Sequence, residues 1–443
     1  MEGLFALLWI LVGIIILMIL NLRFKMHNVI ALLLVGLFVA IMEGMPLNKI
    51  IPTIETGIGG IFGQLALIVV FGAIIGKIMT ESGASQRIAD TVIAKCGTKF
   101  LPVGLLFIGV IFGIAMFYEV AFLIAVPLVL NIAKKANIPY MKLIIPTVVG
   151  ATMGHSLFPP QPGPVALVSA FHANISQVYI LGIIVIIPAL ICAGIILPRL
   201  IPGIKKMPLE SMLKPVEEIP EDKLPKFGTS IIIPLIPAII MIASSILKPI
   251  FGEKSVVGEL CSFVGSAEIS MLLALFAAMY LLGIRQGKKM ADLTQTMRLG
   301  ISQIADVLIV ITAGGILKQI IIDTGVSDHI VHLISAIPVS PFIIAWIITA
   351  IIRMLTGQGA VAAITSAGIV APLVTQFHLN PALMVLAVAC GSNTFTLMYE
   401  GGFLLFKETF GISIKDTFKT WGLLELTNSV VGLIVVLILS LFF

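Results

Sequence analysis

Apolar runs approaching membrane-spanning length recur along nearly the whole chain, separated by short polar segments. A helix needs about 20 apolar residues to cross a hydrocarbon core about 30 Å thick. The clearest runs are Leu4–Leu20, Val29–Met42, Val178–Leu197, Ser230–Leu247, Ser270–Leu282 and Leu423–Phe443. The pattern predicts an all-α polytopic membrane protein with roughly 10–14 membrane segments.

Composition and charge lead to the same class of protein. Hydrophobic residues make up 59% of the chain and charged residues 11%, whereas a soluble domain carries about 25% charged residues. The basic residues behind the net charge of +5 are scattered over short loops without a basic stripe, which argues against nucleic-acid binding. Basic loops face the cytoplasm, so the loops with Arg23, Lys134 and Arg285 are predicted to lie inside. The first run follows Glu2 and lacks a cleavage signal, so it is predicted to be a retained span.

The longest polar stretch divides the chain near its middle. Residues 199–228 are rich in proline and mixed charge and predict an exposed cytoplasmic linker between an N-terminal membrane half, 1–198, and a C-terminal membrane half, 229–443. The segment FGAIIGKIMTESGASQRIA from Phe71 aligns without gaps to AGGILKQIIIDTGVSDHIV from Ala313, which places Glu81 opposite Asp323. The alignment favours a duplicated transporter unit. Chance similarity between apolar helices is the alternative.

The segment GHSLFPPQPGPVAL, from Gly154 to Leu167, cannot form a continuous helix. Its prolines remove amide donors and clash with the preceding turn. Freed carbonyls at membrane depth must be buried in protein or line a water-filled cavity. We therefore predict an unwound or re-entrant segment at the substrate site, with Pro160, Gln161 and Gly163 as binding residues. A proline-rich turn outside the membrane is the alternative.

A second interruption lies at the matching position of the other half. At the same offset Phe158 corresponds to Glu400, so the proline segment is opposite the glycine-rich YEGGF. Matched interruptions of this kind indicate a binding site near the membrane midplane between two repeats.

An arginine stands deep in the apolar run WIITAIIRMLTGQGAVAAITSAG. A charge at the centre of a membrane helix costs about 2.5–3.5 kcal/mol on insertion scales, so Arg353 needs a partner or a task. We predict that its guanidinium binds a substrate carboxylate, with Gly357 and Gln358 of the adjoining GQG break beside it. Extension of the side chain to a membrane interface is the alternative.

Three titratable residues are candidates for carrying a coupled proton. Glu119 in AMFYEVAFLIAV has apolar neighbours on both sides, and burial disfavours the charged form of a carboxylate. Glu400 in MYEGGF and His155 in GHSLF are the others, histidine because it titrates near neutral pH. His155 could instead donate to a freed carbonyl, and Glu119 could be a fixed counter-ion for Arg353.

Neutral polar residues next to the breaks are predicted to bind hydroxyl groups of a small solute. These are Gln161, Gln358, Ser392, Asn393 and Thr394. Satisfying the unwound backbone is their alternative role. The sequence contains neither HExxH nor GxSxG, and its cysteines are isolated, so no enzyme and no metal site are predicted. A channel would require a continuous ring of like residues, which the sequence does not show.

Taken in order, the motifs resemble the gluconate:proton symporter family, also called the gluconate permease family. They are GHSLFPPQPGP, IFGIAMFYEVAFLIAVPLVLNIAKKANIP, RMLTGQGAVAA and GGFLLFKETFGISIKDTFKTWGLLE. The resemblance implies a multi-pass protein of the bacterial inner membrane with inverted repeats. It also implies uptake of gluconate or a related small hydroxylated carboxylate with protons, with sodium as the alternative coupling ion. The resemblance implies no cofactor, and it implies that membrane lipid surrounds the protein. It leaves open whether the chain forms a homo-oligomer.

The chain also departs from the family pattern. The family often has histidine where Gln161 stands, and an Asn-Asp pair where this chain has Tyr399 and Glu400. Tyr399 is predicted to contact the substrate, so the particular sugar acid is left open, with D-serine or a four-carbon sugar acid as alternatives.

Overall fold

The computed structural model describes residues 2–201, 219–326, 339–396 and 400–443. In the first half the helices are α1 (Glu2–Leu22), α2 (Asn28–Met42), α3 (Leu47–Glu81), α4 (Ala84–Ala115), α5 (Tyr118–Lys135), α6 (Met141–Leu157), α7 (Pro162–Ala170), α8 (Ile175–Ala189) and α9 (Leu197–Leu200). A π-helical stretch, Leu190–Ile196, joins α8 to α9, and α4 is kinked at Gly97.

The second half is helical in the same way. Its helices are α10 (Phe227–Phe251), α11 (Val256–Val264), α12 (Ala267–Ala278), α13 (Met290–Asp323), α14 (Pro341–Thr356), α15 (Gly359–Gln376), α16 (Pro381–Ser392), α17 (Gly401–Phe410), α18 (Ile414–Thr417) and α19 (Leu423–Leu439). Short 3-10 helices lie at Glu221–Lys223 and Ile284–Gln286, and π-helical stretches at Met279–Gly283 and Phe418–Gly422.

The prediction of an all-α polytopic membrane protein is confirmed. Within the described ranges, eight helical segments are long and apolar enough to cross a membrane. Five further apolar helices are shorter, with 10–17 residues. Together they fall within the predicted range of membrane segments.

The two longest helices, α3 and α13, come from opposite halves and pack against each other in antiparallel fashion. The hydroxyl of Thr53, near the start of α3, donates to Asp323 at the end of α13 over 2.7 Å. The hydroxyl of Thr296, near the start of α13, donates to Glu81 at the end of α3 over 2.6 Å. The threonines are 243 residues apart (296 − 53) and the acids 242 (323 − 81), so the two contacts lie at matching positions of the halves. This reciprocity supports the predicted repeats and the opposite orientation that the family resemblance implies.

Glycine permits the close approach of these helices. A Cβ placed on Gly57 of α3 would lie 2.5 Å from the carbonyl oxygen of Gly315 of α13, far inside van der Waals contact. Because backbone meets backbone here, no side-chain movement could relieve such a clash.

Four helical breaks divide the apolar segments near the middle of the protein. Two are short, at Met116–Phe117 between α4 and α5 and at Gly357–Gln358 between α14 and α15. Two are longer, one at 158–161 between α6 and α7 and one between Ser392, where α16 ends, and Gly401, where α17 begins, although residues 397–399 lie outside the described ranges. The longer breaks are the proline and glycine interruptions predicted from the sequence, and each half contains one break of each length.

The proline break is buried in protein. Phe158 is 3% exposed and Gln161 5%, and the aromatic ring of Phe158 stacks on that of Tyr179. The Tyr179 hydroxyl donates to the carbonyl of Pro159. The alternative of a turn in bulk solvent therefore does not hold, because the freed backbone is satisfied within the protein.

The described part of the linker docks on the first half. Residues 202–218 lie outside the described residues, α9 ends at Leu200, and α10 begins at Phe227. Gln86 of α4 exchanges two hydrogen bonds with the backbone of Ile219 (3.1 and 3.2 Å), and Arg87 donates to the Pro225 carbonyl over 2.9 Å. Residues 220–223 are exposed, as expected of a linker, whereas Ile219 and Leu224 are half-buried and Pro225 is buried, so for these three residues the expectation is wrong. The division into halves 1–198 and 229–443 stays a prediction.

Candidate functional site

One central cavity lies where the four breaks meet. Its empty space is about 610 Å³, counting the part open to solvent. All four breaks or their flanking residues contribute to the wall, and Val307 and Ile311 of α13 complete it. The remaining lining residues are Phe117, Tyr118, Glu119, Thr152, His155, Ser156, Arg353, Gly357, Gln358, Gly359, Ala360, Ser392, Asn393, Glu400, Gly401, Trp421 and Glu425.

Three helices begin at this cavity, namely α5, α15 and α17. The N-cap residues of α5 and α15, Phe117 and Gln358, make no side-chain hydrogen bond to the first turn. N-cap side chains therefore do not occupy the first amide donors of these two helices, and the helix dipoles place partial positive charge at the cavity. Such an arrangement favours an anionic ligand.

Arg353 is held between two buried carboxylates. Its Nη2 lies 3.2 Å from Oε1 of Glu400 and 3.5 Å from Oε1 of Glu425. Nη1 donates to the carbonyl of Gly357 over 2.7 Å, which caps the end of α14. Nε is buried and has no hydrogen-bond partner among the described residues. The alternative in which this side chain extends to a membrane interface is therefore wrong, and its ion-pair partners are Glu400 and Glu425.

Glu400 is fixed at the start of α17. Its Oε2 accepts from the backbone amide of Phe403 over 2.6 Å and from the Thr396 hydroxyl over 3.3 Å. The carboxylate is therefore an N-cap as well as an ion-pair partner, and both interactions hold it in place.

Glu425 was not among the residues predicted from the sequence. It lies in the first turn of α19, is 1% exposed, and has the Thr396 hydroxyl at 3.5 Å from Oε2. An acid only two residues into the apolar run Leu423–Phe443 was a usable signal, because ionisable residues in such runs are generally functional.

The other two proton-carrier candidates also reach the cavity. Glu119 lies in the first turn of α5, and His155 lies in the last turn of α6. The His155 ring packs against Phe117 with the ring centroids 5.6 Å apart. Glu119, Glu400 and His155 are thus brought to one site.

The predicted residues of the proline break lie behind the cavity wall. The side-chain amide of Gln161 donates to the carbonyls of Gly113 and Ile114 over 3.0 and 2.9 Å, so it caps the last turn of α4. Pro160 is buried within the break. Gly163 packs on α15, and a Cβ placed on Gly163 would lie 3.6 Å from the Cβ of Ala363. None of these three residues is part of the cavity lining.

Of the predicted neutral polar residues, some line the cavity and others do not. Ser392 and Asn393 line the cavity, although the Ser392 hydroxyl donates to the Ala389 carbonyl over 2.8 Å. Gly357 and Gln358 also line it, whereas Thr394 is buried beside it. Tyr399 lies outside the described residues.

Two aromatic residues of the cavity carry unpaired polar atoms. The Tyr118 hydroxyl and Trp421 Nε1 are buried without a hydrogen-bond partner in the described ranges, and their rings lie 5.1 Å apart. Neither residue was predicted, because each is embedded in an aromatic-rich segment typical of core packing. Buried donors of this kind are costly unless a ligand or water uses them.

Comparison with known proteins agrees with the motifs. The family model for GntP family permeases matches residues 5–442. The chain is 48% identical over 440 residues to a high-affinity gluconate transporter of Escherichia coli strain K12, covering 98% of each protein. It is 35% identical over 428 residues to the Gnt-II system L-idonate transporter of the same strain, covering 97% of each. It is also 36% identical over 446 residues to the gluconate permease of Bacillus licheniformis, covering 98% of this chain and 99% of that protein.

Two solved transporters share the fold. The Alcanivorax borkumensis YdaH transporter superposes with a TM-score of 0.66 at 14% identity, covering 90% of each chain. Neisseria gonorrhoeae MtrF, an antimetabolite efflux pump, superposes with a TM-score of 0.66 at 13% identity, covering 94% of this chain and 95% of the other. At these identities the likeness concerns the fold alone. The family match and the curated relatives confirm the resemblance: the chain belongs to the GntP permease family, whose members are multi-pass transporters of the inner membrane and not enzymes.

Proposed function

We propose that this permease takes up gluconate, or a closely related sugar acid, together with protons. The observation that carries the proposal is the composition of the central cavity, where Arg353 and the N-termini of α5 and α15 meet three carboxyl groups. Two relatives named as gluconate transporters and one named as an L-idonate transporter support the substrate class.

The cationic elements suit the substrate carboxylate. A guanidinium binds a carboxylate through a planar pair of donors, and open helix N-termini add partial positive charge. Gln358, Asn393 and Thr152 line the same cavity, and amide and hydroxyl groups of this kind suit a polyhydroxylated chain.

The acidic elements support proton coupling. The cavity is lined by the carboxyl groups of Glu119, Glu400 and Glu425 and by the guanidinium of Arg353. With all of these groups ionised, the negative charges exceed the positive one and the cavity would repel an anion. Uptake of a proton offsets this repulsion when the anion binds. Glu119, Glu400 and His155 are the carriers predicted from the sequence. Sodium is the alternative coupling ion, bound by the carbonyls freed at the breaks.

We infer that alternating access arises from the repeats. The breaks of each half would move together with the cavity, while α3 and α13 remain a fixed scaffold between the halves.

Uptake by proteoliposomes tests this function. Labelled gluconate should accumulate above its external concentration when the lumen is alkaline, and a protonophore should abolish the accumulation. Competition by unlabelled L-idonate, four-carbon sugar acids and D-serine ranks the affinities of these compounds for the protein. Accumulation that survives the protonophore but needs a sodium gradient would replace proton coupling by sodium coupling. Equilibration without accumulation under either gradient would indicate a channel.

A further inference from the structure

We propose that Glu425 carries the coupled proton by exchanging with the substrate carboxylate as a partner of Arg353. This inference rests on the proposed function, because it assigns the coupling step of the same cavity to a particular residue. It concerns a carboxyl group that lies on a different helix from the three carriers predicted from the sequence.

The contacts of Arg353 leave little room for a substrate. One nitrogen of the guanidinium contacts Glu400 and Glu425, a second donates to the Gly357 carbonyl, and the third, Nε, is buried. A substrate carboxylate can therefore form a bidentate pair with Arg353 only if one of the two carboxylates withdraws.

Glu425 is the carboxylate that can withdraw. Glu400 accepts a 2.6 Å hydrogen bond from the Phe403 amide at a helix N-terminus, and this contact holds it in place. The contacts of Glu425 are longer, 3.5 Å to Arg353 and 3.5 Å to the Thr396 hydroxyl. Only 1% of its surface is exposed, so contacts with water do not hold it in place either. Glu425 is therefore the carboxylate that takes up the proton and leaves Arg353.

The other groups around Glu425 add negative charge or none. Arg353 comes from α14, Glu400 from the break before α17, and Glu119 and Tyr118 from α5. His155 of α6 lines the same cavity. Of the other elements packed on α19, α8, α16 and Leu190–Ile196 contain no Asp, Glu, Lys, Arg or His, and Lys419 of Phe418–Gly422 is exposed. Among these groups of the described residues, Arg353 is thus the only buried fixed cation, and it is the group that the substrate needs.

The exchange balances both protons and charge. With the cavity open to the outside, the Glu425 carboxylate takes one proton, becomes neutral and leaves Arg353, and the substrate carboxylate takes its place. With the cavity open to the inside, the substrate leaves, Glu425 releases the proton and pairs with Arg353 again. Arg353 keeps two carboxylate partners in both states, so one proton crosses with each substrate monoanion and no net charge is moved.

The test uses the full chain in proteoliposomes and the variant Glu425→Gln, which is neutral at every pH. We expect this variant to exchange labelled for unlabelled gluconate across the membrane at any pH. We expect it to lose accumulation driven by a pH gradient. The matched control is Glu81→Gln, which removes a carboxylate hydrogen-bonded to a threonine and paired with a lysine outside the cavity. It should accumulate gluconate as the parent protein does.

A binding measurement gives an independent readout. Because one proton is taken up with the substrate, gluconate affinity of the parent protein should fall by about tenfold per pH unit on the alkaline side. Glu425→Gln should remove this slope. In weakly buffered solution on the same alkaline side, an indicator dye should report about one proton taken up per gluconate bound by the parent protein.

Each result has a definite meaning. Gradient-driven accumulation by Glu425→Gln overturns the proposal, and so does loss of both exchange and accumulation in a variant that still elutes as a folded protein. If the variant does not fold, the dye experiment on the parent protein decides, and zero protons per bound gluconate overturns the proposal together with the proton coupling of the proposed function, while its sugar-acid substrate still stands. Failure of the parent protein to bind any sugar acid would instead refute the proposed function.

Discussion

The side-chain nitrogen of Gln161 lies 2.9 Å from the carbonyl oxygen of Ile114, so the proline break of one segment caps the helix that ends at another break. The same nitrogen reaches the Gly113 carbonyl at 3.0 Å. Two breaks that are far apart in the sequence are thus joined behind the cavity wall. The break at Met116–Phe117 therefore depends on the conformation of the proline segment.

We expect Gln161→Leu to destabilise the protein more than it weakens substrate binding. The change leaves buried carbonyls at the end of α4 without a donor, which costs about 1–3 kcal/mol. Thermal unfolding in detergent should therefore show a lower midpoint, while the KM of the folded fraction changes little. A large rise in KM with an unchanged midpoint would mean that Gln161 contacts substrate. Gln161→Asn, which keeps the amide on a shorter side chain, serves as the conservative comparison.

Removal of the cation at position 353 should be among the most damaging changes in the cavity. Arg353→Met leaves Glu400 and Glu425 without the cation that both contact, and loss of one member of a buried ion pair costs about 3–5 kcal/mol. Adding Glu425→Gln should recover part of the lost stability without restoring uptake. Unfolding midpoints of the single and double variants measure this coupling. Strict additivity of the two changes would contradict the ion pair.

The contact between α3 and α13 predicts a contrast between two glycines of one helix. Gly57→Val should prevent folding or lower its yield sharply, because even a Cβ there lies 2.5 Å from the Gly315 carbonyl oxygen. Gly60→Val introduces the same side chain into the same helix where nothing lies within 4 Å. Fluorescence-detected size-exclusion of tagged variants compares the two. Equal yields would show that the helices are not in close contact at this crossing.

The unpaired hydroxyl of Tyr118 predicts a separation between stability and substrate affinity. Tyr118→Phe removes a buried hydroxyl that has no partner in the described ranges, so the unfolding midpoint should not fall. If a substrate hydroxyl uses this group, the KM for gluconate should rise by about tenfold, the loss of one hydrogen bond. The KM for a short hydroxy acid should be unchanged. A lower unfolding midpoint without change in KM would assign the hydroxyl to the fold instead.

The two longer breaks were predictable because proline and glycine mark them directly. The repeat alignment also placed Phe158 opposite Glu400, and both belong to the breaks that meet at the cavity. The break at Met116–Phe117 was not predicted, since IFGIAMFYEV contains no proline and reads as one apolar helix. Its conformation depends on Gln161, a tertiary contact that periodicity does not report. The partners of Arg353 were likewise beyond the sequence, because Glu425 is 72 residues away (425 − 353) on another helix.

The matched contacts at the two ends of the α3–α13 pair bear on how this chain arose. In the first half Lys77 lies 3.4 Å from Glu81, and in the second Gln319 donates to Asp323 over 2.7 Å, again four residues apart. A half-length ancestor that inserted into the membrane in both orientations would have dimerised with an inverted copy of itself. The two copies would then have formed the same threonine–carboxylate contact at both ends of the helix pair. Gene fusion would then have fixed the two orientations in one polypeptide and left the copies free to diverge. Lysine at one end and glutamine at the other would record that divergence.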